Sequence, residues 1–240
     1  AKPDQIAKDW DLNSLDLMDE KIMSSPERLK NWAIEAEDRA QSVKGVTQVQ
    51  SSSASTGILK SYLATSNGFE GGYVRSRTNI SCVSIAGNGQ DMERDYAYEG
   101  RVHASDLPSA SSIGLLSGQR STERIGSKKP PTGNYPVLYD ERVSSSLISH
   151  FLNSINGSSI VRGSSWLRNS MGLDIFPKNI SILENPHKIR SYNSRPFDAE
   201  GIKTYAKKIV SEGVLRTWLL DLTSGKKLDL STTANAVRSI

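Results

Sequence analysis

The chain has 240 residues, 36% hydrophobic and 23% charged, with 30 Lys plus Arg against 26 Asp plus Glu and a formal charge of +4. No stretch approaches the roughly 20 apolar residues that a membrane-spanning helix needs, and the lone cysteine, Cys82, excludes a disulfide framework and a thiolate zinc cluster. The cationic excess is small and dispersed: Lys128-Lys129 and Lys226-Lys227 are isolated pairs, not the clustered basic face of a nucleic-acid binder, so neither membrane nor nucleic acid is expected as a partner.

Residues 1–25 hold Asp4, Asp9, Asp11, Asp16, Asp19 and Glu20 among few large apolar side chains, and read as a linker within a longer chain. The stretch 232–237 offers no closing element, so the chain reads as a fragment. A helix is predicted over 26–44. Ser24 and Ser25 offer caps, Glu27 stands three after Ser24 as in a capping box, and Pro26 suits a first turn. Leu29, Trp32, Ala33, Ala36, Ala40 and Val43 recur at helical spacing, and Gly45 is the stop.

From Val46 the period changes to alternation. Strands are predicted over 58–65, 69–77, 79–86 and 92–98, with Ser66-Asn67-Gly68 and Gly87-Asn88-Gly89 as turns and Gly71-Gly72 as a bulge. Ile80, Cys82 and Ser84 share one face of the third strand, and Ser81, Val83 and Ile85 the other. The expectation is an antiparallel meander of four or five strands. A helix over 108–125 follows, weakened by Gly114 and Gly118, then a stiff linker at 128–133 and a short strand at 136–139. Asp140 should cap a helix over 141–156, whose stripe is Val143, Leu147, Ile148, Phe151, Leu152 and Ile155. Ser149 and Asn153 point away from that stripe, His150 lies at its edge, and Gly157 is the stop. Short strands near 180–182, 203–210 and 214–220, with Glu212-Gly213 as a hairpin turn, complete the pattern. The fold class is α+β: an antiparallel meander flanked by helices over 26–127, then a helix plus hairpin region of a second domain over 128–240.

Few residues carry recognisable chemistry. His103, His150 and His187 have no second imidazole at ligand spacing, no Gly-x-Ser-x-Gly elbow is present, and Cys82 alternates within a strand as a buried structural thiol does. Gly87-Asn88-Gly89 and the run from Thr223 to Lys227 lack the spacing of nucleotide loops. Asp91, Glu93, Asp95 and Glu99 could gather a hard cation, but beside Arg94 in an alternating strand they read as a solvated edge. No catalytic or metal-ligating residue is assigned, and the residues that would touch a peptide are left unassigned. Ser-, Thr- and Gly-rich strands at a sheet edge would suit peptide recognition by strand addition.

Three runs carry a resemblance: Leu63-Ala64-Thr65-Ser66-Asn67-Gly68-Phe69, the segment from Ser84 to Tyr96 through Gly87-Asn88-Gly89-Gln90-Asp91-Met92-Glu93-Arg94-Asp95, and Pro131-Thr132-Gly133-Asn134-Tyr135-Pro136-Val137-Leu138. With 158–167 and 195–201, they resemble the TldD/PmbA family in order and over nearly the whole chain, and the PmbA (TldE) branch more than the TldD branch. The resemblance implies a cytoplasmic bacterial protein, and a heterodimeric metalloprotease that acts on flexible peptides, matures a peptide-antibiotic precursor and degrades an antitoxin. An older family name is modulator of DNA gyrase. The metal-bearing TldD subunit carries His-Glu-x-x-x-His on the helix matching 141–156. At those places stand Ser149, His150 and Ser154. Two hydroxyls do not replace two imidazoles on zinc, and His150 is no carboxylate base. The implied role is a non-catalytic subunit with no cofactor of its own, zinc in a TldD-like partner, and an extended peptide as the shared substrate. A homodimer is left open, and the alternatives are a peptidase active alone or a gyrase-modulating, nucleic-acid-associated protein.

Overall fold

The computed structural model describes residues 4–21 and 25–236 of the chain. A one-turn helix, α1 (Leu12–Leu15), is capped by Asp11, whose carboxylate accepts from the N–H groups of Asn13 and Ser14. The flanking residues are not a free linker. Ala7, Leu15 and Leu17 are buried, and Trp10 packs against Phe69, tilted, and Phe197, edge-on, at 5.8 and 4.9 Å between centroids. Asp19 is buried and accepts from the backbone N–H of Ala104 at 2.9 Å and of Lys21 at 3.0 Å. A high acidic count therefore hides a packed segment, because a few apolar anchors suffice when the carboxylates find donors.

Helix α2 (Pro26–Gln41) is capped by Ser25, whose Oγ accepts from the N–H of Arg28 at 3.2 Å, with Pro26 in the first turn. The cap thus lies one residue beyond the Ser24–Glu27 pair that was expected; Ser24 itself falls outside the described residues. Two long strands follow, β1 (Val46–Ala64) and β2 (Glu70–Ala86), then β3 (Glu93–Arg101), in one antiparallel sheet of order β1-β2-β3. The expected four or five strands merge into three. Pairing runs unbroken from Ala64↔Glu70 to Ser51↔Val83, and the register shifts lie near Val46–Ser51, not at Gly71-Gly72. Gly71 serves close approach instead: a Cβ there would stand 2.2 Å from the Trp10 ring. The β1–β2 turn has a positive φ only at Gly68, with Thr65 and Phe69 paired at 2.9 Å. This is a three-residue connection closed by a left-handed glycine.

Helix α3 (Ala110–Glu123), capped by Ser109, lies beside α2 on one face of the sheet. Gly114, read from sequence as a weakness, is where the helices meet: a Cβ there would stand 2.0 Å from the Ala36 carbonyl oxygen. The core between helices and sheet holds Ala36, Ala40, Ile80, Cys82, Ala97 and Ile113. Its side chains come from the face that the period-two reading assigned to Ile80 and Cys82.

The second half begins with an exposed stretch where a strand was predicted; Leu138 is 97% exposed and pairs with no strand. Helix α4 (Glu141–Ser154) is followed at once by α5 (Gly157–Arg162), so Gly157 opens a helix after the cap Asn156 instead of ending one. Strands β4 (Ile182–Glu184), β5 (Lys207–Ser211) and β6 (Val214–Leu215) form a second antiparallel sheet, and α6 (Leu222–Lys227) closes the described chain. Glu212 and Gly213, at φ 51° and 82°, make the β5–β6 turn with both central residues left-handed, as the sequence signal required. Phe151, Ile155, Leu167, Ile209, Val210 and Leu215 form the core of this half. The class is α+β throughout. No described helix is long and apolar enough to cross a membrane.

Candidate functional site

Two features bear on function: the helix α4 and the long edge strand β1. Asp140 caps α4 by accepting from the Arg142 N–H at 3.0 Å. Arg142 then reaches across to Asp95 on β3 at 2.7 Å, and Arg120 of α3 meets Glu141 at 3.3 Å. These ion pairs fix the start of α4 against the first half. Its far end is fixed by Phe151, edge-on to Phe176 at 5.2 Å, and by the buried Ile155. The expected stripe is therefore covered only at one end; Val143, Leu147 and Ile148 are 50%, 46% and 42% exposed.

The hydroxyls of Ser149 and Ser154 each donate within this helix. Ser149 Oγ donates to the Ser145 carbonyl at 3.0 Å, and Ser154 Oγ donates to the Phe151 carbonyl at 2.7 Å. Such back-bonding satisfies the donor of each hydroxyl within its own helix. His150 is exposed on the same helix. The other imidazoles are elsewhere. His103 meets the Asp16 carboxylate at 3.1 Å and has Asp19 at 3.9 Å, so it clasps the N-terminal segment. His187 bonds Thr204 Oγ1 at 3.0 Å, and burial pushes its pKa down. Among the described residues no group of three His, Cys, Asp or Glu side chains is arranged to hold a metal ion. The side chains at the two ligand positions on α4 do not fit zinc: Ser149 and Ser154 offer hydroxyls where imidazole, thiolate or carboxylate donors are needed, and His150 stands at the base position.

On β3, Glu93 and Asp95 belong to an ion-pair network with Arg124 and Arg142. Asp95 is 7% exposed, against the expectation of a solvated edge; it pairs with Arg142, and Arg124 meets Glu93 at 3.3 Å. Burial alone would raise the Asp95 pKa, but Arg142, the Tyr96 N–H and Arg124 together hold it below the usual carboxylate range. Cys82 is fully buried, and burial pushes its thiol pKa up.

Strand β1 is an edge of the first sheet. Its 19 residues include none that is buried, and Ile58, Leu59 and Tyr62 are 47%, 54% and 63% exposed. At about 3.3 Å per residue it is a ridge roughly 60 Å long. Its outer side has no strand neighbour among the described residues, which is the arrangement that accepts an added strand. A cavity of about 770 Å³ opens beside its hairpin end, between Leu12, Leu17 and Met18 on one side and Lys60, Tyr62 and Tyr73 on the other. Sequence reasoning pointed to Ser/Thr/Gly-rich strands but not to this cavity, because its walls come from segments far apart in the chain.

Comparison with known proteins adds the context. A family model described as the PmbA/TldA metallopeptidase central domain matches residues 19–128, and one described as its C-terminal domain matches 132–240. Metalloprotease PmbA of Escherichia coli O157:H7 is 32% identical over 95% of this chain and 50% of its own length. A metalloprotease PmbA homolog of Haemophilus influenzae is 35% identical over 85% of this chain and 44% of its own length. The chain thus spans about half the length of these curated relatives. Among solved structures, a Bacteroides thetaiotaomicron protein described as a modulator of DNA gyrase superposes with a TM-score of 0.91 at 28% identity, covering 99% of this chain and 54% of that one. TldE of Thermococcus kodakarensis gives 0.75 at 16% identity, over 93% and 51% of the two chains, a likeness of fold alone.

Proposed function

Because the chain belongs to the PmbA/TldD metallopeptidase family, we propose that it is part of a PmbA/TldE-type, non-catalytic subunit of a heterodimeric metalloprotease acting on flexible peptides. The observation that carries this reading is α4. Where the resemblance puts two zinc ligands and a base stand Ser149, Ser154 and His150, and both hydroxyls are spent on carbonyls of their own helix. A TldD-like partner would supply the zinc and the general base, which polarise the scissile carbonyl and activate water. This chain's contribution is to hold the substrate. The unpaired edge of β1 offers a row of backbone donors and acceptors, which grip an extended peptide with little preference for sequence. That suits substrates such as an antibiotic precursor or an antitoxin, whose common property is a flexible backbone.

Metal analysis and peptidase assay of the full protein, alone and mixed with a TldD-like partner, test the proposal. The expected result is no stoichiometric zinc and no cleavage alone, with cleavage in the mixture. Stoichiometric zinc together with cleavage by the protein alone would overturn it.

A further inference from the structure

On β2, Arg75 and Arg77 are two apart and so project from one face of the sheet, the face opposite the α2/α3 core. Arg75 is 8% exposed. Its two terminal nitrogens donate to the carbonyls of Tyr192 and Ser194, while its Nε is buried without a hydrogen-bond partner. Arg77 donates from Nε to Asn79 Oδ1 at 2.7 Å and from its terminal nitrogen to the Tyr98 hydroxyl. The Tyr192 ring lies over both guanidinium groups, at 5.1 and 4.4 Å. Among the described residues, neither arginine has a carboxylate within ion-pair distance, although twelve such contacts occur elsewhere. Two neighbouring positive charges, one of them almost wholly removed from water, are thus held by neutral groups alone. Carbonyls, rings and hydroxyls orient a guanidinium but do not neutralise it.

The arginines line a cavity of about 310 Å³ whose other wall is β1. In the sheet register Leu59 faces Arg75, Gly57 faces Arg77 and Ser55 faces Asn79. Gly57 leaves the gap: a Cβ built there meets nothing within 4 Å. The wall opposite Arg77 is therefore missing a side chain, on the strand whose outer side is unpaired.

We propose that this cavity receives the carboxylate of an extended peptide lying against β1, either its terminal carboxylate or an acidic side chain. The inference rests on the peptide-holding reading above and deepens it: backbone pairing along β1 would be indifferent to sequence, and the arginine pair would set the register by anchoring one charged point. A carboxylate is the anion a peptide carries, and it supplies the counter-charge that the arginines lack. Guanidinium–carboxylate contacts are among the stronger charge-assisted hydrogen bonds.

Titrations of the full protein with a flexible seven-residue peptide in three forms test this: free acid, C-terminal amide, and amide bearing one internal Asp. The free acid should bind about tenfold more tightly than the plain amide, and the difference should vanish in Arg77→Gln and in Gly57→Leu. Gly57→Leu fills open space and leaves both arginines in place, so it guards against a loss caused by misfolding. Recovery of affinity by the Asp-bearing amide would assign the site to acidic side chains as well; no recovery would restrict it to the chain terminus. Equal binding of all three forms, or discrimination that survives both substitutions, would overturn the proposal. A second probe separates this claim from peptide binding as such. N-acetylglycine should shift the Arg75 Nε–H resonance in the wild type and not in Gly57→Leu, even if no peptide binds and the peptide reading falls. An unmoved resonance would overturn the carboxylate site.

Discussion

Asp95 shows how far a residue's environment is from its sequence neighbourhood. It stands among other acids in an alternating strand, yet it is buried, and its partner Arg142 is 47 positions away in the chain. Nothing local signals that pairing. Removing the carboxylate with Asp95→Asn leaves Arg142 with a weaker acceptor, and should lower stability by about 1–2 kcal/mol at pH 7. Because the folded-state pKa of Asp95 is depressed, its contribution is present above the unfolded carboxylate value near 4 and is lost as pH falls through the lowered folded value. Urea unfolding of wild type and variant from pH 7 to pH 3 should therefore show the two curves converging toward the acid end. Cys82 is the opposite case. Its burial was legible because alternation is a local property, and the side chain sits with Ile80 in the core. With its thiol buried and its pKa pushed up, it should resist alkylation in the native protein and react once the chain is unfolded in urea, as followed by mass spectrometry.

At the scale of elements, what depends on neighbours in sequence was legible and what depends on neighbours in space was not. The two hairpin turns, the alternating faces of β2, the Asp140 cap and the α2 and α3 helices all follow from short-range chemistry. Strand lengths did not, since only the partner strand tells that 69–77 and 79–86 are one pleat without a break. The α4 stripe was also read, but periodicity reports that a stripe exists and not what covers it; here the described chain covers Phe151 and Ile155 and leaves Val143 and Leu147 open. Nor did the absent zinc ligands on α4 carry meaning from spacing alone; they acquired it from the resemblance and from the bonds that Ser149 and Ser154 make to their own helix. Glycine gives the sharpest element-scale test. Propensity alone makes Gly114→Ala stabilising by up to about 1 kcal/mol. The packing makes it harmful, because the new methyl group would sit 2.0 Å from the Ala36 carbonyl oxygen and force α2 and α3 apart. The expected outcome is a loss of about 2–3 kcal/mol, measured by thermal or urea unfolding; a gain would mean that the helices are not closely packed.

Across the whole molecule, the two halves meet through a small number of specific contacts. Trp10, Phe69 and Phe197 pack as a triad, with Phe69 and Phe197 at 4.6 Å and Tyr73 edge-on to Phe197 at 5.5 Å. Asn67, in the β1–β2 turn, donates to the Glu200 carbonyl at 2.9 Å. Arg190 joins Asp16 at 2.6 Å and Asp106 at 3.1 Å. The N-terminal segment thus lies between the halves and touches both, which is why treating it as a linker misjudges it. If these contacts make one cooperative unit, a lesion at the triad should be felt by the whole chain. Phe197→Ala removes a ring that is 6% exposed and leaves a cavity between three segments; the expected cost is about 3–5 kcal/mol. The informative reading is the shape of the transition. Followed by far-ultraviolet circular dichroism and by tryptophan fluorescence, the variant should unfold earlier but with both signals coinciding. Trp32 reports on the first half, Trp166 and Trp218 on the second, and Trp10 on the contact between them. Two separated transitions would mean that the halves fold independently, and that the triad holds together domains which need no help from each other.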